Sequence, residues 1–517
     1  MTRTLRQYRQ RTHPMSPPSI PEKPPAHTKS PRLLSAFVIL IAATSFKILL
    51  IHSYRSTDFE VHRNWLAVTH SLPLTQWYKE KTSEWTLDYP PFFAWFEKLL
   101  AVFASYFDPG MLIVSNLNYA SDTTVRFQRL SVIITEFILI KAVMMFIAKE
   151  KRANKEWTAD QFAIFALTVS NAGLIIVDHI HFQYNGFLLG ILVLSMYFIA
   201  TGKDLVGGIV YAILINFKHI YAYAAPLYFV YLLRHYCFVK LPNSDSRRFM
   251  LKNFAVLGCA VTTVFLVSLG PFIWHGQLFI VLARLFPVKR GLTHAYWAPN
   301  FWAMYNALDR VLIVVLGRRG ANNKSLTRGA IGDVEHVILG HVTPSIALIV
   351  SLLAMAPVLI SVWRRPYKDV FASALCYVMM TSFMFGWHVH EKAILMVTIP
   401  LCLIARRSPI HTETFLFMNL IANYSLIPLL FRAEEAYIRS ALQWNKYAWK
   451  HVFYLVYVFG LLAIQSLMFL QPIFSLKMEF LPLLLTSVYC SAGMIICMVK
   501  LLQIHYIDSL NTSNKID

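Results

Sequence analysis

Three short stretches of this 517-residue chain concentrate side chains able to do acid–base and phosphate chemistry. The first, Ser56-Thr57-Asp58-Phe59-Glu60-Val61-His62-Arg63-Asn64-Trp65, sets two carboxylates two positions apart, with Thr57 or Asp58 placed to cap a helix. The second, Trp387-His388-Val389-His390-Glu391-Lys392, is a polar knot between two apolar runs. The third, Asp178-His179-Ile180-His181-Phe182-Gln183-Tyr184-Asn185, offers donors, acceptors and aromatic rings suited to carbohydrate hydroxyls.

These residue types fit group transfer from a phosphate leaving group to a hydroxyl. Such a step needs a base for the hydroxyl proton and positive charge for the departing phosphate, which leaves without a general acid. One carboxylate is then sufficient, unlike glycoside hydrolysis with its two opposed carboxyl groups. Asp58 is the expected base and Glu60 its rival. His388, His390 and Lys392 could grip the phosphate, with Glu391 pairing Lys392 or orienting a histidine. Arg284, Lys289, Arg290, Lys218 and His219 are further phosphate candidates, with ordinary interfacial cations as the alternative reading.

Each stretch also has a plainer reading. The first could be a membrane-surface loop with solvated carboxylates, the second a snorkelling helix end, the third a hydrogen-bonded turn between helices. His388 and His390 also resemble part of a metal site, but no second cluster of matching spacing accompanies them.

The elements that must position these residues are membrane helices. Hydrophobic residues make up 56% of the chain, charged residues only 15%, and mean hydropathy is +0.50, outside the range of soluble domains. Apolar runs cover residues 33–54, 131–148, 162–177, 187–200, 205–216, 221–233 and 254–274, then 344–362, 370–386, 394–405, 415–430, 452–470 and 481–502. Backbone groups in hydrocarbon must pair internally, so these runs predict an all-α polytopic protein of ~12 to 14 spans. Residues 303–316 are read as a re-entrant or surface helix in a long loop.

The net charge of +21 does not point to nucleic acid, because the basic residues are spread among short loops instead of forming one face. They report orientation. Residues 1–32 form a basic tail without an apolar core, expected to be disordered and cytosolic, and alternation from it puts the basic clusters at 149–155, 234–252, 364–368 and 406–407 on the same side. The large loops 55–130 and 275–343 and all three polar stretches then share the opposite, luminal face, and residues 506–517 form a C-terminal tail. The six cysteines show neither metal-ligand nor paired spacing. No Gly-rich phosphate loop opens a helix after a strand, so no soluble nucleotide-sugar domain is expected and the donor should be lipid-borne. A transporter or lipid scramblase would show related half-repeats and polar groups at mid-membrane depth; neither is evident.

With these residues in view, the chain resembles the eukaryotic dolichyl-phosphate-glucose alpha-1,3-glucosyltransferases of N-glycan assembly, which have the polytopic GT-C fold. The resemblance is carried by 57–65, by Leu87-Asp88-Tyr89-Pro90-Pro91, whose prolines should start a helix, by 178–185, by Arg284-Leu285-Phe286-Pro287 with Arg290-Gly291, and by His390-Glu391-Lys392. The run 83–97 and Val61-His62-Arg63-Asn64-Trp65 are similar to the branch that adds the second glucose, as opposed to the first. It implies an inverting transfer in the endoplasmic reticulum lumen, with Asp58 as base. The donor would be dolichyl-phosphate-glucose and the acceptor a monoglucosylated, nine-mannose oligosaccharide on diphosphodolichol, within endoplasmic reticulum lipids. No metal or cofactor is implied. His390, Lys392, His388, Arg290 and Lys289 would hold the donor phosphate. Glu60, His62, Arg63, Trp65, Asp88, Tyr89, Asp178, His179, His181, Gln183 and Asn185 would contact the sugars or acceptor.

Overall fold

The computed structural model describes residues 33–149, 157–241, 246–286, 291–294, 297–317, 336–430, 452–469 and 481–514. The basic tail, Lys289 and Arg290 lie outside the described residues.

Every apolar run carries a helix. In the first half these are α1 (Leu33–Leu49), α4 (Asp122–Ile147), α5 (Ala159–Val169), α6 (Asn185–Ala200), α7 (Asp204–Phe217), α8 (Ala225–Leu232) and α9 (Leu251–Trp274); α2 (Thr57–Ser71) and α3 (Pro91–Phe107) fill the first large loop. The second half contributes α10 (Leu278–Leu285), α11 (Phe301–Val315), α12 (Pro344–Arg364), α13 (Phe371–Phe385), α14 (Leu395–Ile404), α15 (Pro409–Leu426), α16 (Val452–Phe469) and α17 (Leu481–Ser513). The single hairpin among the described residues pairs Phe238–Lys240 with Arg247–Phe249 antiparallel. Six of the described helices are long and apolar enough to cross a bilayer, and four shorter apolar helices accompany them.

Burial separates an inner bundle from a lipid-facing shell. α13 and α14 are buried around their whole circumference, whereas α9 and α12 leave residues such as Leu266, Val267, Leu348 and Leu353 exposed. A helix apolar on every side suits the centre of a membrane bundle, and one exposing only apolar side chains suits lipid. α4 and α6 approach closely because Gly190 has no side chain: a Cβ there would lie 2.5 Å from the backbone nitrogen of Leu139.

Three local details differ from the sequence reading, and all concern helix ends. The cap of α2 is Ser56, not Thr57 or Asp58; its extended backbone lets the side chain accept from the Asp58 amide at 3.2 Å. α4 starts at Asp122, well before its apolar run, because Ser121 accepts from the Thr124 amide at 3.0 Å and extends the helix out of the bilayer. The apolar run 162–177 breaks after α5, where Asn171 caps a new helical turn, and that turn continues past residue 177 as a π-helical segment, Ile175–Phe182, so Asp178, His179 and His181 are helical and not in a turn. Pro91 does open α3, where its missing N–H is harmless.

α11 buries Trp302, Ala303, Asn306 and Asp309 and exposes Leu308, Val311, Val314 and Val315, a one-sided helix of the kind expected at a membrane surface. The polar stretches meet at one end of the bundle. There α1, the π-helical segment, α7 and α13 end, and α2, α4 and α6 begin.

Candidate functional site

Asp58 is brought to that end by α2, in whose first turn it sits beside Glu60, a position where negative charge suits the exposed N–H groups. Its Oδ2 accepts from Lys392 Nζ at 2.6 Å and from Gln183 Nε2 at 2.9 Å, and lies 3.2 Å from His181 Nε2. Lys392 Nζ is also 2.8 Å from His181 Nε2. These four side chains come from three separate segments of the chain. Asp58 remains 20% exposed, so the cluster opens outward. Burial pushes the Asp58 carboxyl up, but the Lys392 ammonium and the His181 hydrogen bond outweigh it and hold it well below the usual carboxylate range.

The end of the π-helical segment delivers His181 and Gln183. Between them Phe182 has φ +87°, a left-handed conformation uncommon for a bulky residue, which turns the chain sharply enough to aim Gln183 at Asp58. Asn185 Nδ2 donates to Gln183 Oε1 and to Asp178 Oδ1, both at 2.9 Å, and the Gly186 amide donates to Asp178 Oδ2 at 2.6 Å. Asp178 is therefore an anchor beneath the cluster, at the start of α6.

Lys218, at the end of α7, reaches Asn185 Oδ1 at 3.4 Å and lies 4.8 Å from the centre of the Tyr89 ring. Burial and the nearby Lys392 push its ammonium down to about 8, while Asp58, Asp178 and Asp88 support it. Tyr89 is fixed from behind by the Tyr78 hydroxyl, which donates to its carbonyl at 2.7 Å.

Other residues expected at the site are buried, with their polar atoms engaged by the protein. Arg63 pairs with Glu60 (2.6 Å) and donates to the carbonyls of Met111 and Ile113, each at 3.1 Å. His62 Nδ1 meets Glu97 Oε1 at 2.7 Å, and Trp65 Nε1 donates to the Trp85 carbonyl at 3.3 Å. His179 Nε2 meets Glu136 Oε2 at 2.9 Å.

The loop before Lys392 forms a second cluster. His388 adopts φ +52°, and its Nδ1 lies 2.8 Å from the Gly291 carbonyl, while Thr293 and Val389 form a parallel bridge. This stitches the loop to the segment that follows Lys289 and Arg290. The His294 and His390 rings lie with their centres 3.5 Å apart, tilted by 36°, and burial with the neighbouring His390 pushes His294 down to about 2, keeping it neutral. Glu391 is 3.8 Å from His390 Nδ1, too far for a hydrogen bond, although it is buried. Ligand atoms of His294, His390 and Glu391 lie within 4.8 Å of one another. Two imidazoles on one tetrahedral ion would hold their ring centres roughly 5 Å apart, so a pair this close does not fit a shared metal.

The cluster brings together a carboxylate, an ammonium and an imidazole, groups able to serve displacement of a phosphate by a hydroxyl. The model of the ALG6, ALG8 glycosyltransferase family matches residues 43–501. This chain belongs to that family. It is 44% identical over 494 residues to a Bos taurus protein named dolichyl pyrophosphate Glc1Man9GlcNAc2 alpha-1,3-glucosyltransferase, covering 90% of this chain and 94% of the relative. An Arabidopsis thaliana protein of the same name is 42% identical, over 90% of this chain and 96% of its own length. A Drosophila melanogaster protein given that name as probable is 46% identical, over 88% and 91%. The chain is thus a multi-pass membrane glucosyltransferase with the GT-C fold of its family.

Within this family member the sequence reading did not single out Lys47, Arg129, Glu136 or Glu97 as site supports. All are buried, and the first three sit in membrane-length helices. For Lys47 and Glu136 the signal was present: an ionisable residue inside an apolar run is functional by default.

Proposed function

We propose that this glucosyltransferase moves glucose from dolichyl-phosphate-glucose onto Glc1Man9GlcNAc2 carried on diphosphodolichol, forming an alpha-1,3 bond with inversion, at the luminal face of the endoplasmic reticulum membrane. The observation that carries the reading is the contact of Asp58 with Lys392, His181 and Gln183 at the open end of the bundle. The names of the relatives supply the acceptor.

In the resting enzyme Lys392 neutralises the base. A donor phosphate entering beside it competes for the ammonium, and as Lys392 turns to the phosphate the Asp58 carboxylate is released toward the acceptor. Asp58 then takes the proton of the acceptor hydroxyl while that oxygen attacks the anomeric carbon. The bond from that carbon to the phosphate oxygen breaks, and its electron pair leaves with the dolichyl phosphate. Lys392 and His390 stabilise the developing charge, helped by His388, Lys289 and Arg290 from the adjoining loops. His181 and Gln183 keep the carboxylate aimed, and Lys218, Asp88, Tyr89 and Asn185 line the sugar side. Glu60, His62, Arg63, Trp65, Asp178 and His179 support these groups from behind and shape the acceptor's approach.

A second family activity, addition of the first glucose, uses the same chemistry on an unglucosylated acceptor. Purified enzyme should be given dolichyl-phosphate-glucose and lipid-linked oligosaccharides bearing no, one or two glucoses. Product from the monoglucosylated acceptor alone is expected. Turnover of the unglucosylated one at comparable rate overturns the assignment.

A further inference from the structure

Arg129 lies seven residues into α4 and is 2% exposed. Among the described residues its guanidinium bonds no carboxylate; Nη1 donates to the carbonyl of His179 at 2.7 Å, and Nη2 to those of Ile180 at 2.9 Å and Tyr54 at 2.7 Å. His179 and Ile180 lie in the last turn of the π-helical segment, where carbonyls lose their helical partners, and a cation there answers both the orphan acceptors and the negative end of the helix. Tyr54 belongs to the other side of the site, four residues before Asp58. One side chain therefore ties the segment bearing the base to the segment bearing His181 and Gln183.

The seam is completed from both sides. Ser56, the cap of α2, donates to the His181 carbonyl, and Ser53 donates to the His179 carbonyl at 3.4 Å. Below, Glu136 on α4 accepts from Lys47 through both oxygens at 2.8 Å and meets His179 at 2.9 Å, while Lys47 also donates to the Val169 carbonyl at 3.1 Å. This triad joins α1, α4 and the π-helical segment inside the bundle, and Lys47 adds the end of α5. Buried charges are poor devices for stability alone, since apolar side chains of similar volume often serve as well. Here they hold main chain at a place where the helix is π-wound and Phe182 is left-handed, so that register would otherwise be loosely set.

We propose that Arg129, seated above the Lys47–Glu136–His179 triad, is a positioning residue that fixes Asp58 against His181 and Gln183 for the transfer step. The proposal rests on the reading of Asp58 as the base. Arg129 acts through backbone carbonyls and touches neither substrate, so its loss misplaces the base without emptying either binding site.

The test uses the full chain, purified in detergent or reconstituted, with both lipid substrates and each rate expressed per folded enzyme. Arg129→Gln should lower kcat by about 100-fold, the size expected for an ångström-scale misplacement. KM for each substrate should stay within about threefold. Arg129→Lys keeps the charge but not the fork, and should recover about tenfold of that loss. Unchanged kcat, or a raised KM at constant kcat, overturns the proposal. Should Arg129→Gln not fold, Arg129→Lys decides: a lowered kcat at unchanged KM supports positioning, and the parental kcat sinks it. Asp58→Asn in the same preparation separates the two ideas, because turnover by that variant near the parental rate would refute the base assignment whatever Arg129 does.

Discussion

The two faces of α2 carry the same residue types and do different work. On one face Asp58 is partly open, and its strongest partner, Lys392, is 334 residues away on another loop. On the other, Arg63 is fully buried, three residues from Glu60 on the same helix, and is further tied to two carbonyls. The difference is whether a partner can be exchanged. On the proposed mechanism a phosphate would compete for Lys392, because Asp58 beside it is partly exposed and the two sit on separate elements. Nothing can compete for Arg63 without unpacking the helix, so that pair holds α2 in place. Chemistry resides where the ion pair is replaceable, and architecture where it is not.

Substitutions that disturb one face at a time test this contrast. The largest effect is expected from Asp58→Asn, which keeps size and removes basicity: kcat should fall by ~1,000-fold or more, with thermal unfolding little changed. Lys392→Met should follow, lowering kcat/KM by about 100-fold through lost phosphate stabilisation. It should also move the acid limb of the pH profile. Lys392 favours the charged form of Asp58, so deleting it raises the Asp58 pKa, and the limb in kcat/KM shifts to higher pH. A limb that stays in place would mean that Asp58 is not the titrating base.

Arg63→Ala should reverse the pattern, affecting stability more than chemistry. Leaving Glu60 unpaired and the Met111 and Ile113 carbonyls unanswered should destabilise by about 3–5 kcal/mol, read from denaturation in detergent, while the remaining folded enzyme loses less than about tenfold in kcat. If Arg63→Ala were stable but inactive, the two faces of α2 would not be divided as described.

Much of the architecture was legible because it follows from solvent. Each apolar run became a helix, and the prolines at Pro90 and Pro91 started α3. Helix ends were less legible. The π-helical continuation to Phe182 crosses from apolar Val177 into the polar residues Asp178, His179 and His181, and hydropathy cannot show that such residues remain helical when protein surrounds them. The candidate site was legible as three stretches, but not as a geometry. Nothing in the spacing of Asp58 and Glu60 told which would meet Lys392; the turn of α2 faces one toward Lys392 and ties the other to Arg63. Arg129 escaped notice because it lies just before the apolar run of α4, where a basic residue reads as an ordinary helix-end cation.

By itself, the sequence determined a bundle of membrane helices with its polar chemistry gathered at one end, since hydrocarbon forces the backbone to pair within each segment and expels charge to the boundary. Only the tertiary structure decided which of those polar groups confront one another, because partners 125 and 334 residues apart meet through helix packing and end geometry, which no local pattern encodes. It also decided which ion pairs stay open to a substrate and which are sealed, a property of burial around a residue and not of the residue itself.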